Sequence, residues 1–257
     1  MRKVRIIAVT NQKGGVGKTT TAINLSACLA VAGNHVLVID ADQQGNTTSG
    51  LGLDKNNVPA TIYNIFLGEA SAKEVKQATC VDGLEIIPAN IDLTGAEIEL
   101  IGKERREFIL QEELNNIKQN YDFIIIDCPP SLNLITINAL VAADTVLVPI
   151  QCEYFALEGL EQLLHTVNLV KKRLNSSLEI EGIVFTMYDA RTNLSLQVVE
   201  EVKRSLGQNV YRTIIPRNVR LGESPSHGLP IIQYDPKSKG AEAYELLAEE
   251  VMEKEWK

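Results

Sequence analysis

The sequence predicts an α/β protein built on a single doubly wound, mostly parallel sheet with helices on both faces. Short apolar runs alternate with helical patterns along the chain, and several of these runs are apolar at nearly every position. The 257 residues contain neither an internal repeat nor a Gly/Ser-rich linker, and their number suits one large domain. We therefore expect residues 1–257 to form a single domain.

Each predicted strand is a short apolar run between turn residues. The predicted strands cover residues 4–10, 35–40, 84–88, 121–128, 145–150, 181–187 and 211–215. Helices are predicted where apolar residues recur with helical spacing, at residues 19–32, 95–120 (as two helices), 132–143, 156–174, 193–206 and 238–254. Ligands of open parallel sheets bind beyond the C-terminal strand ends, so the functional residues are expected there.

A glycine-rich segment links the first predicted strand to the first predicted helix, and residues 12–20 read Gln-Lys-Gly-Gly-Val-Gly-Lys-Thr-Thr. Glycines let the backbone turn sharply and aim consecutive N–H groups inward, and a helix N-terminus adds its positive dipole end. The segment therefore predicts a phosphate cradle for ATP, in which Lys18 reaches the β- and γ-phosphates and the Thr19 hydroxyl binds Mg²⁺. The predicted nucleotide-binding residues of this segment are Lys13, Gly14, Gly15, Val16, Gly17, Lys18, Thr19 and Thr20.

Carboxylates follow two of the predicted strands. Asp127 comes after four large apolar residues, a position from which a carboxylate holds a Mg²⁺-bound water while its strand stays buried. Asp40 ends the second strand and is expected near the metal, whereas Asp42 lies in the following loop, where it can orient the attacking water. Taken alone, each aspartate suits a helix N-cap or a turn; the phosphate cradle favours Thr19, Asp40 and Asp127 as metal ligands.

Charge is unevenly distributed along the chain. The formal net charge of −8 argues against a protein coated in nucleic acid. Residues 165–240, however, hold 11 Lys or Arg against 7 Asp or Glu, so this segment is locally positive. A weakly positive face contacts phosphates without reading bases, and pairing two such faces in a dimer doubles the footprint.

The glycine-rich segment resembles the deviant P-loop of the ParA/MinD/nitrogenase-iron-protein class of ATPases, because Gln12 replaces the first glycine of the general pattern and Lys13 precedes Gly14. Residues 40–46 and 125–130 are similar to the D-x-D-P-Q-G-N and I-I-D-C-P-P motifs of the ParA family, with Gln43 in place of the usual proline. Residues 149–159, 186–191 and 215–228 extend the resemblance over nearly the whole chain, towards the chromosomal ParA/Soj branch.

The resemblance implies an ATP-dependent partitioning switch with weak intrinsic ATPase activity. In that family an ATP-sandwich homodimer binds DNA non-specifically, and a ParB/Spo0J-type centromere-binding protein stimulates the hydrolysis that dissolves it. Lys13 would reach the other subunit's phosphates. Together with Lys18 at the phosphates and Asp42 at the attacking water, it completes the set of predicted catalytic residues.

The same resemblance assigns the remaining predicted contacts. Pro216 and Asn218 would hold the adenine, and the alternative for this pair is a plain turn. Arg191, Arg217 and Arg220 would bind the DNA backbone, and the alternative for each is a solvated or ion-paired side chain.

Three other classes of function stay open. A MinD-like membrane-surface regulator needs a basic amphipathic C-terminal helix, but residues 246–257 are acidic. An iron–sulfur reductase needs cysteines from two loops at a dimer axis, and Cys128 abuts Asp127 too closely for that role. A metabolic P-loop ligase or kinase needs a second small-molecule pocket, for which no motif stands out.

Sequence features also predict where in the cell the protein is found. No stretch of about 18 apolar residues occurs, and residues 1–30 lack the order of a signal peptide. The four cysteines show no C-x-x-C spacing and are expected to be reduced and mostly buried, and three scattered histidines do not suggest zinc. We expect a cytoplasmic, nucleoid-associated protein without membrane contact.

Overall fold

The computed structural model describes residues 4–153 and 156–254, and its centre is one eight-stranded sheet. The strands are β1 (Arg5–Val9), β2 (Val36–Asp40), β3 (Gln77–Ala78), β4 (Leu84–Ile87), β5 (Phe123–Asp127), β6 (Thr145–Gln151), β7 (Glu179–Tyr188) and β8 (Val210–Pro216). They lie in the order β3-β4-β2-β5-β1-β6-β7-β8. All neighbouring pairs are parallel except β3 and β4, which are antiparallel.

Helices cover both faces of this sheet. They are α1 (Lys18–Val31), α2 (Asn46–Gly50), α3 (Ile62–Leu67), α4 (Ala72–Val75), α5 (Leu93–Glu99), α6 (Ile109–Asn115), α7 (Leu134–Ala142), α8 (Ala156–Arg173), α9 (Asn193–Leu206), α10 (Val219–Glu223), α11 (Ile231–Tyr234) and α12 (Lys239–Glu253). Every residue of β1, β2 and β5 is buried, as expected for central strands with helices on both sides. Ile6 and Ala8 of β1 pack into one apolar core, and Ile7 and Val9 into the other. The predicted fold class is therefore confirmed.

The predicted strands and most helices agree with the structure to within two residues. The short antiparallel strand β3 was not predicted, because two residues carry no periodic pattern. The predicted helical region 95–120 contains α5 and α6, but α5 begins earlier than predicted and residues 100–108 separate the two helices. Gly102 and Arg105 lie in this interval with positive φ values of 82° and 55°, which end a right-handed helix.

The strand register brings the predicted site residues to one edge of the sheet. Asp127 pairs with Val9 on one side and with Asp40 on the other, so the ends of β1, β5 and β2 are adjacent. The glycine-rich loop, the Asp42 loop and Asp127 consequently share this edge, as the fold class predicts.

Three further observations bear on the sequence predictions. Cys28, Cys128 and Cys152 are buried, Cys80 is exposed, and all four are free thiols. In the part of the chain that the structure describes, no helix combines the length and the apolar character needed to cross a membrane. Tyr154 and Phe155 of the 149–159 motif, and residues 255–257 of the acidic C-terminal segment, lie outside the described residues.

Candidate nucleotide site

The glycine-rich loop runs from the end of β1 to the first turn of α1. Gly15 and Gly17 have φ values of 74° and 86°, in the left-handed region that favours glycine. Asn11 fixes the start of the loop, because its side-chain oxygen accepts a bond from the Lys13 amide (3.0 Å) and its Nδ2 donates to the Pro149 carbonyl (2.8 Å). Asn11 was not predicted as a site residue, because its only sequence signal is its position next to the motif.

Lys18 lies folded into this loop. Its side chain is buried, and Nζ donates a hydrogen bond to the Lys13 carbonyl at 2.9 Å. Burial lowers the pKa of Lys18, against the attraction of Asp127. From the opposite side, the Thr186 hydroxyl of β7 donates to the Val16 carbonyl at 2.8 Å. The loop is thus held from two strands, with its lysine at the position where phosphates would bind.

Asp127 is fully buried beside the first turn of α1. Its Oδ2 accepts hydrogen bonds from the hydroxyls of Thr19 (2.8 Å) and Thr47 (2.7 Å). Its Oδ1 has no hydrogen-bond partner among the described residues. Burial, followed by repulsion from Asp40, raises the pKa of Asp127 to about 7. A buried carboxylate with an unpartnered oxygen calls for a cation.

Asp127 and Thr19 fit a Mg²⁺ ion. Mg²⁺ in nucleotide sites is bound by one or two carboxylates together with phosphates and waters, not by an all-protein cage. Residues 4–153 and 156–254 contain no group of three His, Cys, Asp or Glu side chains placed to hold a metal.

Asp40 contacts Asp42 and Thr48 of α2 instead of Thr19. Its Oδ2 accepts bonds from the amide (2.8 Å) and hydroxyl (2.7 Å) of Thr48, and its Oδ1 accepts from the Asp42 amide at 3.2 Å. Burial raises the pKa of Asp40 to about 6. Through these contacts Asp40 anchors the Asp42 loop. They do not bear on the prediction that Asp40 binds the metal, which stays a prediction.

Asp42 begins a tight turn at the edge of the site. Its Oδ1 accepts from the Gln44 amide (3.0 Å), and its carbonyl accepts from the Gly45 amide (2.9 Å). The Nζ of Lys55 donates to the Gln44 carbonyl at 2.6 Å, and it thereby ties down the loop in which Gln43 replaces the usual proline. Neither Lys55 nor Thr48 carries a local sequence signal for this role.

Lys13 turns away from the cradle and pairs with Glu153, which follows β6. Both side chains are partly exposed, at 37% and 45%. The lysine that the resemblance assigns to a second subunit is therefore paired within its own chain.

A pocket of about 250 Å³ adjoins the glycine-rich loop. Its lining includes Gly17 from the loop, Thr20 from the first turn of α1, Pro216 at the end of β8 and Asn218 just after it. The structure thus brings the predicted adenine residues next to the predicted phosphate residues. Asn218 also caps α10, because its side chain accepts from the Arg220 amide at 2.8 Å.

The three predicted DNA-binding arginines are exposed and follow the ends of β7 and β8. Arg191 forms a two-pronged pair with Asp189 at 2.6 and 2.8 Å, and Arg220 pairs with Glu223 at 2.8 Å. The Arg217 amide donates to the Tyr188 carbonyl at 3.1 Å, which fixes the two strand ends side by side. The arginines therefore follow adjacent strand ends, and acidic partners partly offset the charges of Arg191 and Arg220.

The same chain architecture occurs in known proteins. The family model of an AAA domain matches residues 4–180. Sporulation initiation inhibitor protein Soj of Bacillus subtilis is 60% identical over 247 residues, which are 96% of this chain and 98% of that protein. Chromosome partitioning protein ParA of Myxococcus xanthus is 54% identical over 251 residues, or 98% of this chain and 89% of that protein. The chain belongs to the ParA/Soj family of ATPases.

Solved structures agree with this assignment at the level of fold and cofactor. A structure titled cobyrinic acid a,c-diamide synthase, from Mycobacterium smegmatis with a bound ATP analog and magnesium, has a TM-score of 0.86 and 38% identity, and the match covers 97% of this chain and 95% of that one. The septum site-determining protein MinD of Pyrococcus horikoshii, complexed with Mg-ADP, has a TM-score of 0.79 and 28% identity, over 98% and 97% of the two chains. The predictions of an ATPase and of ATP and Mg²⁺ as cofactors are confirmed.

Proposed function

We propose that this ParA/Soj-family ATPase is a DNA-partitioning switch that alternates between a monomer and an ATP-bound dimer. The observation that carries the proposal is the position of Lys13. The cradle, Thr19 and Asp127 form a nucleotide site within one chain, while Lys13 pairs with Glu153 outside that site. One subunit therefore binds nucleotide, and a second subunit completes the site.

Each residue of the site has a separate task in this mechanism. Lys18 and the amides of the glycine-rich loop bind and orient the phosphates of ATP. Thr19 and Asp127 hold Mg²⁺, which when bound neutralises the charge that develops on the phosphates. Asp42 orients the attacking water from the loop anchored by Asp40 and Lys55. Lys13 of the partner subunit adds positive charge, so turnover depends on dimer assembly.

DNA binding belongs to the exposed edge formed after β7 and β8. Arg191, Arg217 and Arg220 would contact phosphates in the ATP dimer, where two copies of this edge double the number of contacts. Such contacts carry no sequence information, which suits a protein that travels over a nucleoid. A ParB/Spo0J-type centromere-binding protein would stimulate hydrolysis, release the DNA and reset the switch.

A second candidate is a metabolic synthase, which the name of the Mycobacterium smegmatis structure suggests. The partitioning function is favoured because identity to Soj and ParA proteins reaches 60% and 54%, against 38% for that structure. A MinD-like function has weaker support, since the MinD structures are 28% and 29% identical.

Sedimentation and turnover measurements test the proposal. The monomer should become a dimer with ATP and Mg²⁺, and only the dimer should sediment with DNA of arbitrary sequence. ATP turnover should rise with DNA and a ParB-type protein and need no small-molecule acceptor. A dependence of turnover on an added carboxylic acid and an amide donor would instead support the synthase.

A further inference from the structure

An exposed apolar face lies on the segment that follows β4, at the same edge of the sheet as the candidate nucleotide site. Ile91, Ile98 and Ile101 are 66%, 72% and 71% exposed, although isoleucine is among the residue types most often buried. Backbone bonds from the Thr94 amide to the Ile91 carbonyl (3.0 Å) and from the Ile101 amide to the Ile98 carbonyl (3.1 Å) continue the turns of α5 at both ends. Spacings of seven and three residues place the three side chains on one face, here called the Ile face.

The Ile face has an acidic border. Asp92, Glu97 and Glu99 lie between its members, and residues 91–101 contain no Lys or Arg. Asp92 and Glu99 are exposed, and Glu99 accepts a bond from the Tyr63 hydroxyl at 2.8 Å. Lys103 and Arg105 follow beyond Ile101, but the stripe itself carries only negative charge within residues 91–101. Such a stripe is complementary to a helix whose apolar stripe has positive charge beside it.

Charge also argues against a second copy of this chain as the occupant. A two-fold contact presents the same patch from both subunits. Two Ile faces in such a contact would bring Asp92, Glu97 and Glu99 towards their own copies, and like charges across an interface are repulsive. The occupant that fits is therefore a different protein with a basic amphipathic helix.

A chain of hydrogen bonds joins this segment to the hydrolytic loop. The Ala89 amide, two residues before Ile91, donates to the Thr48 hydroxyl at 2.9 Å. That hydroxyl donates to Asp40 Oδ2 at 2.7 Å, and Asp40 Oδ1 accepts from the Asp42 amide at 3.2 Å. A displacement at Ala89 is therefore passed to the backbone of the residue that orients the attacking water.

A close steric contact connects the same two segments. Gly45 ends the Asp42 turn with φ 59°, and a side-chain carbon there would lie only 2.7 Å from the Ala89 carbonyl oxygen. Because the two backbones are in contact, the segment before the Ile face cannot move without moving the turn.

We propose that the Ile face binds a basic amphipathic helix of the protein that stimulates ATP hydrolysis, and that this docking adjusts Asp42 through Ala89 and Thr48. The inference rests on the proposed function, since it names the surface on which the regulator of that function acts. It assigns a docking site to residues outside the nucleotide site itself.

The test uses the full chain and, as the probe, the ParB/Spo0J-type protein encoded in the same genome. The double variant Ile98→Lys/Ile101→Lys should keep basal ATP turnover, ATP-dependent dimerisation and DNA binding. It should need roughly tenfold more ParB-type protein for half-maximal stimulation. Glu97→Lys should weaken stimulation in the same direction. Val31→Lys, at an apolar side chain that is 58% exposed at the end of α1, is the matched control and should behave as wild type.

The coupling has its own test. Thr48→Val removes the hydroxyl that joins Ala89 to Asp40, so it should bind the ParB-type protein as the wild type does but respond with less stimulation. Thr48→Ser keeps the hydroxyl and should restore the response. Equal stimulation of Thr48→Val and wild type would overturn the coupling through this residue.

The remaining outcomes separate the inference from the function on which it rests. Normal stimulation of the double isoleucine variant would overturn the docking site and leave the partitioning function intact. Loss of ATP-dependent dimerisation in that variant would show that the Ile face joins two copies of the chain, which also overturns the inference. A wild-type protein that the ParB-type protein does not stimulate would refute the proposed regulation, and the docking site would fall with it.

Discussion

Lys13 and Glu153 form an ion pair that joins the glycine-rich loop to the end of β6, 140 residues away in the sequence. In the proposed dimer, Lys13 reaches the other subunit's phosphates. The pair therefore competes with dimer assembly, because one ammonium group cannot serve both partners. Ion pairs at such partly exposed positions contribute only about 0.2–1 kcal/mol, so the competition is weak enough for nucleotide to overcome.

Glu153→Gln should favour the dimer. Without the carboxylate Lys13 is released, and the ATP concentration for half-maximal dimerisation should fall by about two- to fivefold, in line with the loss of an exposed ion pair. Analytical ultracentrifugation over an ATP series measures this. Glu179→Gln, which removes the partly exposed pair of Lys171 and Glu179, is the matched control and should leave dimerisation unchanged. A weaker dimer in Glu153→Gln would mean that Glu153 acts in the dimer instead.

Lys13→Gln should separate nucleotide binding from dimerisation. The Lys18 side chain donates to the loop backbone, whereas the Lys13 side chain pairs with Glu153 instead. The Lys13→Gln monomer should therefore bind ATP nearly as the wild type does but fail to dimerise. Lys18→Ala is the comparison: it removes the charge at the β- and γ-phosphates and should lose both ATP binding and hydrolysis. Fluorescent-nucleotide titration and sedimentation report the two properties. A Lys13→Gln protein that still dimerises with ATP would place this lysine in its own site.

Asp42→Ala should retain MgATP and accumulate a long-lived dimer. In the proposed mechanism Thr19 and Asp127, which are joined by a hydrogen bond, hold the metal without Asp42, and Asp42 orients the attacking water. Hydrolysis should fall by roughly 100-fold or more, the loss expected when a general-base or water-positioning group is removed. Single-turnover hydrolysis and gel filtration with ATP check this division of roles, and a monomeric or normally hydrolysing Asp42→Ala protein would refute it.

The sequence predicted the sheet and the phosphate cradle because both depend on local patterns. Central parallel strands are continuous apolar runs, and the left-handed conformations at Gly15 and Gly17 demand glycine. The predicted site residues Lys18, Thr19 and Asp127 consequently meet as expected.

The missed residues have no such local signal. Thr47, Thr48 and Thr186 are ordinary threonines of other segments that become functional only when the fold brings their hydroxyls to Asp127, Asp40 and the loop. The Lys13–Glu153 pair is equally non-local. The Asp40 metal prediction came from its position at a strand end, but its carboxylate contacts Thr48 because α2 begins nearby and presents its amide and hydroxyl.

Asp127→Asn should stabilise the metal-free protein while abolishing function. The pKa of Asp127 in the folded protein is raised from 3.8 to about 7, so the folded state binds a proton that the unfolded state releases between these values. Folding stability should therefore fall as pH rises through this window, in the absence of Mg²⁺. Asn removes the buried charge and should raise the melting temperature at pH 7, whereas MgATP binding is lost. Thermal denaturation at pH 5 and pH 7, with and without MgATP, measures both effects. A lower melting temperature for Asp127→Asn at both pH values would contradict the assigned cause.

Replacement of Arg191 and Arg220 should weaken DNA binding without affecting ATP binding or dimerisation. Both side chains are exposed beyond the ends of β7 and β8, and each contact with a phosphate releases counterions. The affinity for DNA should therefore be independent of sequence, require ATP and fall steeply with salt. The double alanine variant should show a smaller slope of log affinity against log salt, and Glu at either position should be worse than Ala. Each arginine already has an acidic partner, Asp189 or Glu223, so part of the binding energy is spent in breaking those pairs.

Arg212→Ala is the matched control for this experiment. Arg212 is 83% exposed and lies near the start of β8, at the opposite end of the strand from the proposed DNA edge. It also pairs with acidic residues, Glu250 and Glu253, and its removal changes the net charge by the same amount as the loss of either Arg191 or Arg220 alone. If non-specific attraction to the whole protein governed binding, all three arginines would matter equally. If the edge after β7 and β8 is the DNA site, Arg212→Ala should bind as the wild type does at 150 mM salt, where charges are screened beyond about 8 Å. Normal DNA binding by the double Arg191/Arg220 variant at that salt concentration would rule out this edge.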